Sequence, residues 1–215
     1  MAGKQTHQVA EWAGQMGENY RSRNPHSLAD YDLLYRKDYG ITRMSMNEEF
    51  LHDVPKDISI LEVGANVGLQ LMFLKQQGFK DLLGVDINEA AVREAKNISP
   101  EVDVIRGSGF DLPFKDDSFD LVYTSGVLIH ISPKDVGEIL HEIYRVSRRY
   151  IWGFEYYAPT YTEVKYRGDS DLLWKTDFAA LYQEKFPDLV VVREHKYVMT
   201  DGERMTQMFL LEKKS

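Results

Sequence analysis

Glu62, Asp86, His130 and Glu155 are the side chains whose type and position could do chemistry, since each ends or follows a short apolar run. Glu62 lies in Ile58-Ser59-Ile60-Leu61-Glu62-Val63-Gly64-Ala65-Asn66-Val67-Gly68, an apolar run closed by an acid and a glycine turn. The turn passes at once into the helical pattern Leu69 to Gln77. Such a start brings backbone amides close to a ligand and marks a nucleotide-type cofactor site. Asp86 ends the next run, Leu82-Leu83-Gly84-Val85-Asp86, eighteen residues past Gly68. A carboxylate there can accept hydrogen bonds from both hydroxyls of a ribose. An imidazole near its ordinary pKa, as expected at His130, can take a proton at neutral pH, and Glu155 is the second candidate base.

Rival chemistries are narrowed by what is missing. A nicotinamide fingerprint needs Gly-x-Gly-x-x-Gly, whose middle glycine admits a pyrophosphate. This chain has Gly64-x-x-x-Gly68 with Asn66 in the middle, and no Gly-Lys-Ser/Thr follows to make a P-loop. The chain has no cysteine, which removes disulfides, thiolate zinc sites and cysteine nucleophiles. Asp169-Ser170-Asp171 offers too few metal ligands and the six histidines are scattered, so no metal is expected. With 34 acidic against 26 basic residues the net charge is -8. The densest basic cluster, Arg145, Arg148 and Arg149, reads as a helix C-terminus, and no nucleic-acid partner is expected. Met1 to His7 has no apolar signal segment and no long apolar run follows, so no membrane partner and a cytoplasmic location are expected.

The elements that position these residues follow from the hydrophobic pattern. A length of 215 residues with 43% hydrophobic content suits one domain with a small cap. Largely non-alternating apolar runs predict strands at about 58–63, 82–86, 102–106, 119–124 and 150–155, buried on both faces between helices. A helix is predicted over 133–146, with Ser132 as cap, Pro133 at its first position and the stripe Val136, Ile139, Leu140, Ile143 facing the sheet. A second runs over 177–186 and stops before Pro187. Strands at about 189–198 and 205–212 flank Asp201-Gly202, which predicts an antiparallel hairpin. The reading is a three-layer α/β sandwich with a mostly parallel seven-stranded sheet and a C-terminal antiparallel hairpin. Residues 1–50, with Trp12, Tyr20, Tyr31, Tyr35 and Tyr39, read as a helical cap or lid over a core at 51–215.

Four segments, in order, resemble those of class I S-adenosylmethionine-dependent methyltransferases, whose Rossmann-like fold ends in such a hairpin. Glu62, Gly64 and Gly68 match motif I, with Asn66 departing from it, and Asp86 matches the ribose-binding acid of motif II. Gly107-Ser108-Gly109-Phe110-Asp111-Leu112-Pro113-Phe114 followed by Ser118-Phe119-Asp120-Leu121-Val122 resembles the adenine-side segment, with Ser108 in place of the usual acid, so that Asp111 or backbone would share its task. Thr124-Ser125-Gly126-Val127-Leu128-Ile129-His130-Ile131 resembles the segment that borders the methyl-donor end. The resemblance implies S-adenosylmethionine (SAM) as cofactor, with S-adenosylhomocysteine as product. It implies a binding set of Glu62, Gly64, Ala65, Asn66, Gly68, Asp86, Ile87, Ser108, Gly109, Phe110, Ser125 and Gly126, with Trp12 and Tyr20 from the cap.

Outside these motifs, Trp12-Ala13-Gly14, Tyr20-Arg21-Ser22-Arg23-Asn24, Glu155-Tyr156-Tyr157, Tyr166 to Asp171 and Trp174 to Ala179 resemble the pseudaminic acid biosynthesis-associated methylases, over about residues 12–213. That likeness implies a small, sugar-derived or nonulosonic-acid acceptor, with methylation of another small metabolite or non-catalytic SAM binding as alternatives. Expected acceptor residues are His130, Tyr156, Tyr157, Arg167 and Asp171, the loop 156–174 being long enough to fold over a ligand. The Asn/Asp-Pro-Pro-Tyr/Phe tetrapeptide of amino-methylating DNA enzymes is absent. The oligomeric state is left open.

Overall fold

In the computed structural model, which describes residues 4–214, four helices precede the first strand: α1 (His7–Ala13), α2 (Gln15–Arg23), α3 (Leu28–Tyr39) and α4 (Arg43–Leu51). Residues 1–3 of the expected cap and residue 215 of the expected core lie outside the described residues. Strands and helices then alternate: β1 (Ser59–Val63), α5 (Leu69–Gln76), β2 (Asp81–Asp86), α6 (Glu89–Ile98), β3 (Asp103–Arg106), β4 (Phe119–Ser125), α7 (Val136–Val146) and β5 (Ser147–Tyr156). The chain closes with β6 (Thr162–Glu163), β7 (Trp174–Lys175), α8 (Phe178–Lys185), β8 (Leu189–Val198) and β9 (Met205–Lys213).

Seven strands form one sheet in the order β3-β2-β1-β4-β5-β9-β8. All pairings are parallel up to β5, while β9 runs antiparallel to both β5 and β8. Successive residues of β1 feed opposite cores, Ile60 to one side and Leu61 to the other, because side chains alternate across a strand. On one face Ile139, Leu140 and Ile143 of α7 pack with Phe178 and Tyr182 of α8. On the other, Met46, Phe50 and Leu51 of α4 pack with Leu71 and Leu74 of α5. This is the three-layer arrangement with a mostly parallel sheet that the hydrophobic pattern predicts, and the Rossmann-like fold that the resemblance implies.

Local departures have local causes. Helix α7 begins at Val136, because the Ser132 hydroxyl donates to the Asp135 carboxylate (2.9 Å) and residues 133–135 close a turn on the Ser132 carbonyl. Helix α8 starts one residue late, since Asp177 serves as its cap and accepts from the Ala180 amide at 3.0 Å. Arg148 and Arg149 lie on β5 instead of a helix end, paired with Asp120 and Glu212, while Arg145 pairs with Glu142 and Asp116. The short β6–β7 ladder was not foreseen, two residues per strand being below any readable period.

The strand order reverses between β1 and β4, and open α/β sheets bind ligands outside the carboxyl ends of their strands at that point. Glu62, Asp86 and Ser125 all lie at those ends.

Candidate active site

The β1–α5 turn is built by three left-handed residues, Gly64 (φ 80°), Asn66 (φ 49°) and Gly68 (φ 80°). Asn tolerates that region better than most side chains, which explains its place in a glycine turn. At Gly64 a β-carbon would lie 2.4 Å from Val127 Cγ2, so the turn and the β4 loop pack with no room for a side chain. Gly68 lies outside the cavity described next. It heads α5, and a β-carbon there would press on Ser99, Val102 and Val104 at 3.2–3.3 Å, so its part is packing and not ligand contact.

A cavity of about 150 Å³ lies over this turn. Apart from Gly68, every residue expected at the cofactor lines it: Glu62, Gly64, Ala65, Asn66, Asp86, Ile87, Ser108, Gly109, Phe110, Ser125, Gly126, Trp12 and Tyr20. Asp111 does not. The Asp86 carboxylate is fixed from both sides, Oδ2 accepting the Asn66 amide and Oδ1 the Asn88 amide, each at 2.7 Å. Burial raises its pKa, and those backbone amides oppose the rise. An ionised carboxylate offers about four acceptor positions, so these backbone amides leave it able to accept further hydrogen bonds.

Glu62 is buried, and burial pushes its carboxyl up to about 8, with the Asp86 charge adding to the rise and Arg43 opposing it. Among the described residues, Glu62 Oε2, both amide atoms of Gln70 and the Trp12 Nε1 are buried without a hydrogen bond of good geometry, although the Tyr123 hydroxyl approaches Glu62 and that of Tyr31 approaches Gln70. Glu62, Gln70 and Trp12 all line the cavity. A buried unpaired polar atom costs about 1–3 kcal/mol. A ligand with an ammonium and further polar groups at this end satisfies them, and the methionine moiety of SAM has that chemistry; its ribose suits Asp86. The residues therefore fit the cofactor.

Behind Glu62 sits Arg43, fully buried on α4. Its Nε donates to Asn47 Oδ1 (2.8 Å) and its Nη1 to the hydroxyls of Tyr35 (3.0 Å) and Ser125 (3.4 Å). The guanidinium carbon lies 4.5 Å from the Phe154 ring centre and 5.4 Å from that of Trp152, and Nη2 is unpartnered among the described residues.

His130 ends a short 3₁₀ turn, Leu128–His130, and lines the cavity. Its ring packs on Trp12 with centres 4.2 Å apart, and on Tyr166 at 5.2 Å. Burial lowers its pKa to about 4, which corrects the expectation of an imidazole near its ordinary value.

The other expected residues stand elsewhere. Glu155 is fully buried and turned away from the cavity, its oxygens accepting the amides of Val127 (3.2 Å) and Ile129 (3.4 Å). It holds the β4 loop in shape, and burial pushes it up to about 7. Tyr156 and Tyr157 follow it at the carboxyl end of β5, where Lys175 and Lys196 lie over their rings. Asp171 accepts from Gln8 Nε2 at 3.2 Å, tying the loop to α1. Arg167 lines a separate open groove with Tyr20 and Tyr166. Glu155, Tyr156, Tyr157, Arg167 and Asp171 are thus all outside the cavity. Missed by sequence reasoning were Gln70, Arg43, Asn88 and Gln8. Gln70 had a signal, a polar residue inside the apolar start of α5. Among the described residues no group of three His, Asp or Glu side chains is placed to hold a metal, and no helix is long and apolar enough to cross a membrane.

Residues 61–150 match a family described as a methyltransferase domain. An uncharacterized methyltransferase of Synechocystis is 30% identical over 108 residues, 47% of this chain and 50% of that protein. The chain spans about half the length, or less, of the curated relatives it matches. Among solved structures, a protein of Pyrococcus horikoshii superposes with a TM-score of 0.69 at 17% identity, over 92% of this chain and 99% of the other. A 1,6-didemethyltoxoflavin-N1-methyltransferase of Burkholderia thailandensis, solved with bound 1,6-didemethyltoxoflavin and S-adenosylhomocysteine, reaches 0.66 at 16% identity, over 93% of this chain and 89% of the other. Fold and match point the same way: the chain has the Rossmann-like class I methyltransferase fold, and its residues 61–150 are similar to a methyltransferase domain.

Proposed function

We propose that this protein transfers a methyl group from SAM to a small-molecule acceptor, a sugar-derived or nonulosonic-acid-type intermediate of surface polysaccharide synthesis, in the cytoplasm. The observation that carries the cofactor half is the pairing of an amide-fixed Asp86 carboxylate with the unpartnered polar atoms of Glu62 and Gln70 around one cavity. The acceptor half rests on the family resemblance of the segments around Trp12, Tyr20, Glu155 and Tyr166.

In this reading Asp86 holds the ribose, Glu62 and Gln70 the methionine end, and the Ser108–Phe110 segment the adenine. When bound, SAM supplies an electrophilic methyl carbon on a sulfonium. The protein's part is to align acceptor and methyl and to exclude water, which accounts for much of the rate in such displacements. Trp12 and Tyr20 close the cavity from α1 and α2 and act as a lid. His130 faces the reacting end as a neutral imidazole. Turnover of SAM to S-adenosylhomocysteine with a panel of sugars and nucleotide sugars tests the reading. Product formation with at least one member supports it; SAM binding with no turnover on any acceptor class supports a non-catalytic binder instead.

A further inference from the structure

Beyond the aromatic wall of the cavity lies a second, open groove of about 570 Å³, shared by the α2–α3 turn, α3 and the loop at Tyr166. Tyr20 lines both spaces, so the groove abuts the cavity at its reactive end, where Tyr166 packs on His130. Two arginines face this groove, Arg23 and Arg167. Neither guanidinium has a carboxylate or hydrogen-bond partner among the described residues, whereas every other arginine except Arg36 is ion-paired or, for Arg43, hydrogen-bonded. In a chain of net charge -8, two unpaired guanidinium groups around one groove are a local exception.

The groove's composition favours an anion. Asp30 is its one carboxylate, and it already accepts the Ser27 hydroxyl at 2.7 Å. His26 is engaged with the Arg21 carbonyl at 3.0 Å. Arg167 is displayed by a two-residue reversal: the Tyr166 amide donates to the Asp169 carbonyl at 2.8 Å, with Arg167 (φ 55°) and Gly168 (φ 99°) both left-handed. Planar guanidinium forks match the oxygens of a carboxylate or phosphate.

We propose that this groove anchors the acceptor through an oxyanion, a carboxylate or a phosphate on the small molecule, leaving its reactive group to reach past Tyr20 and Tyr166 toward His130. The proposal rests on the cofactor reading of the neighbouring cavity and names the acceptor's charge class.

The test is calorimetric titration of glucuronate, glucose 6-phosphate and glucose into the full-length protein, with and without saturating S-adenosylhomocysteine. At least one charged sugar binds about tenfold or more tightly than glucose, and Arg23→Ala and Arg167→Ala each weaken it about tenfold, with Arg167→Lys weakened less. The affinity for S-adenosylhomocysteine stays within about twofold in all three variants. The tighter of the two charged sugars identifies the oxyanion as carboxylate or phosphate. Binding of neither, or equal binding by the Arg23→Ala/Arg167→Ala double variant, overturns the proposal. Loss of S-adenosylhomocysteine binding alone, with charged sugars still held by the arginines, would instead count against the cofactor reading.

Discussion

The Nδ1 of His130 lies 2.7 Å from the carbonyl oxygen of Leu172, a contact that joins the β4 loop to the segment before β7. A carbonyl only accepts, so Nδ1 carries the proton and Nε2 bears the lone pair. The tautomer of the ring is thereby set by backbone. With its pKa lowered to about 4 by burial, the imidazole is neutral at pH 7. That neutral form contributes stability that is complete above the ordinary value near 6.5 and is lost as pH falls through about 4.

His130→Ala is expected to lower turnover roughly 100-fold while SAM affinity changes little. The wild-type rate should show no inflection from this residue between pH 6 and 9. A rate step near pH 6.5 that disappears in the variant would contradict the neutral assignment.

Glu62 makes a proton-linked prediction. Its carboxyl, raised to about 8 by burial, is mostly protonated at pH 7 in the free protein, and the ammonium of a bound methionine moiety favours the ionised form. SAM binding at pH 7 should therefore release up to one proton, with the release fading above pH 8. Calorimetry in buffers of different ionisation enthalpy measures it directly, and Glu62→Gln should abolish it. Proton uptake instead of release would reverse the sign and refute the assignment.

Glu155 bears on stability and not on ligand affinity. Because burial raises its folded-state pKa to about 7, its stabilising share is complete below about 4.5 and is lost as pH rises through about 7. The shift corresponds to an upper limit on the order of 3 kcal/mol. In urea unfolding, the advantage of wild type over Glu155→Gln should be larger at pH 5 than at pH 8. A constant difference across that range would show that the carboxyl does not titrate in this environment.

Gly17 tests the seating of the lid. A β-carbon there would sit 2.1 Å from the Trp12 carbonyl oxygen and 2.6 Å from Asn88 Nδ2, breaking the contact through which Asn88 donates to that carbonyl at 3.2 Å. The other polar tethers include Gln8 to Asp171, and Arg21 to Glu94 and Lys4 to Asp135, the last two being partly exposed pairs worth about 0–1 kcal/mol each. Gly17→Ala should weaken SAM binding about tenfold with little change in the urea midpoint. Unchanged affinity would place α2 outside ligand binding.

What the sequence makes legible is set by how strongly local pattern and tertiary structure agree. The buried strands read as near-continuous apolar runs, and Asp201-Gly202 predicts a reversal that Asp201 Oδ1 fixes by accepting the amides of Glu203 (3.0 Å) and Arg204 (3.1 Å). Asp86 stands where the apolar run predicts, at the end of β2, and the fold brings it to the glycine turn through the Asn66 amide. Glu155 misleads. It too falls at a strand end, but its side chain turns to the amides of the β4 loop, and nothing in a linear pattern separates the two directions. Arg43 and Asn47 are illegible, since nothing in a linear pattern tells a buried guanidinium on α4, bonded to Asn47, Tyr35 and the distant Ser125, from an exposed one.

The most direct test of the account is calorimetric titration of SAM into wild type and Asp86→Ala, with thermal unfolding as a control that the variant keeps its fold. Wild type should bind one equivalent, and the variant should bind about 100-fold more weakly or not at all, since two charge-assisted hydrogen bonds to the ribose are lost. Absence of SAM binding in wild type, or equal affinity in the folded variant, would contradict the assignment of this cavity as the cofactor site.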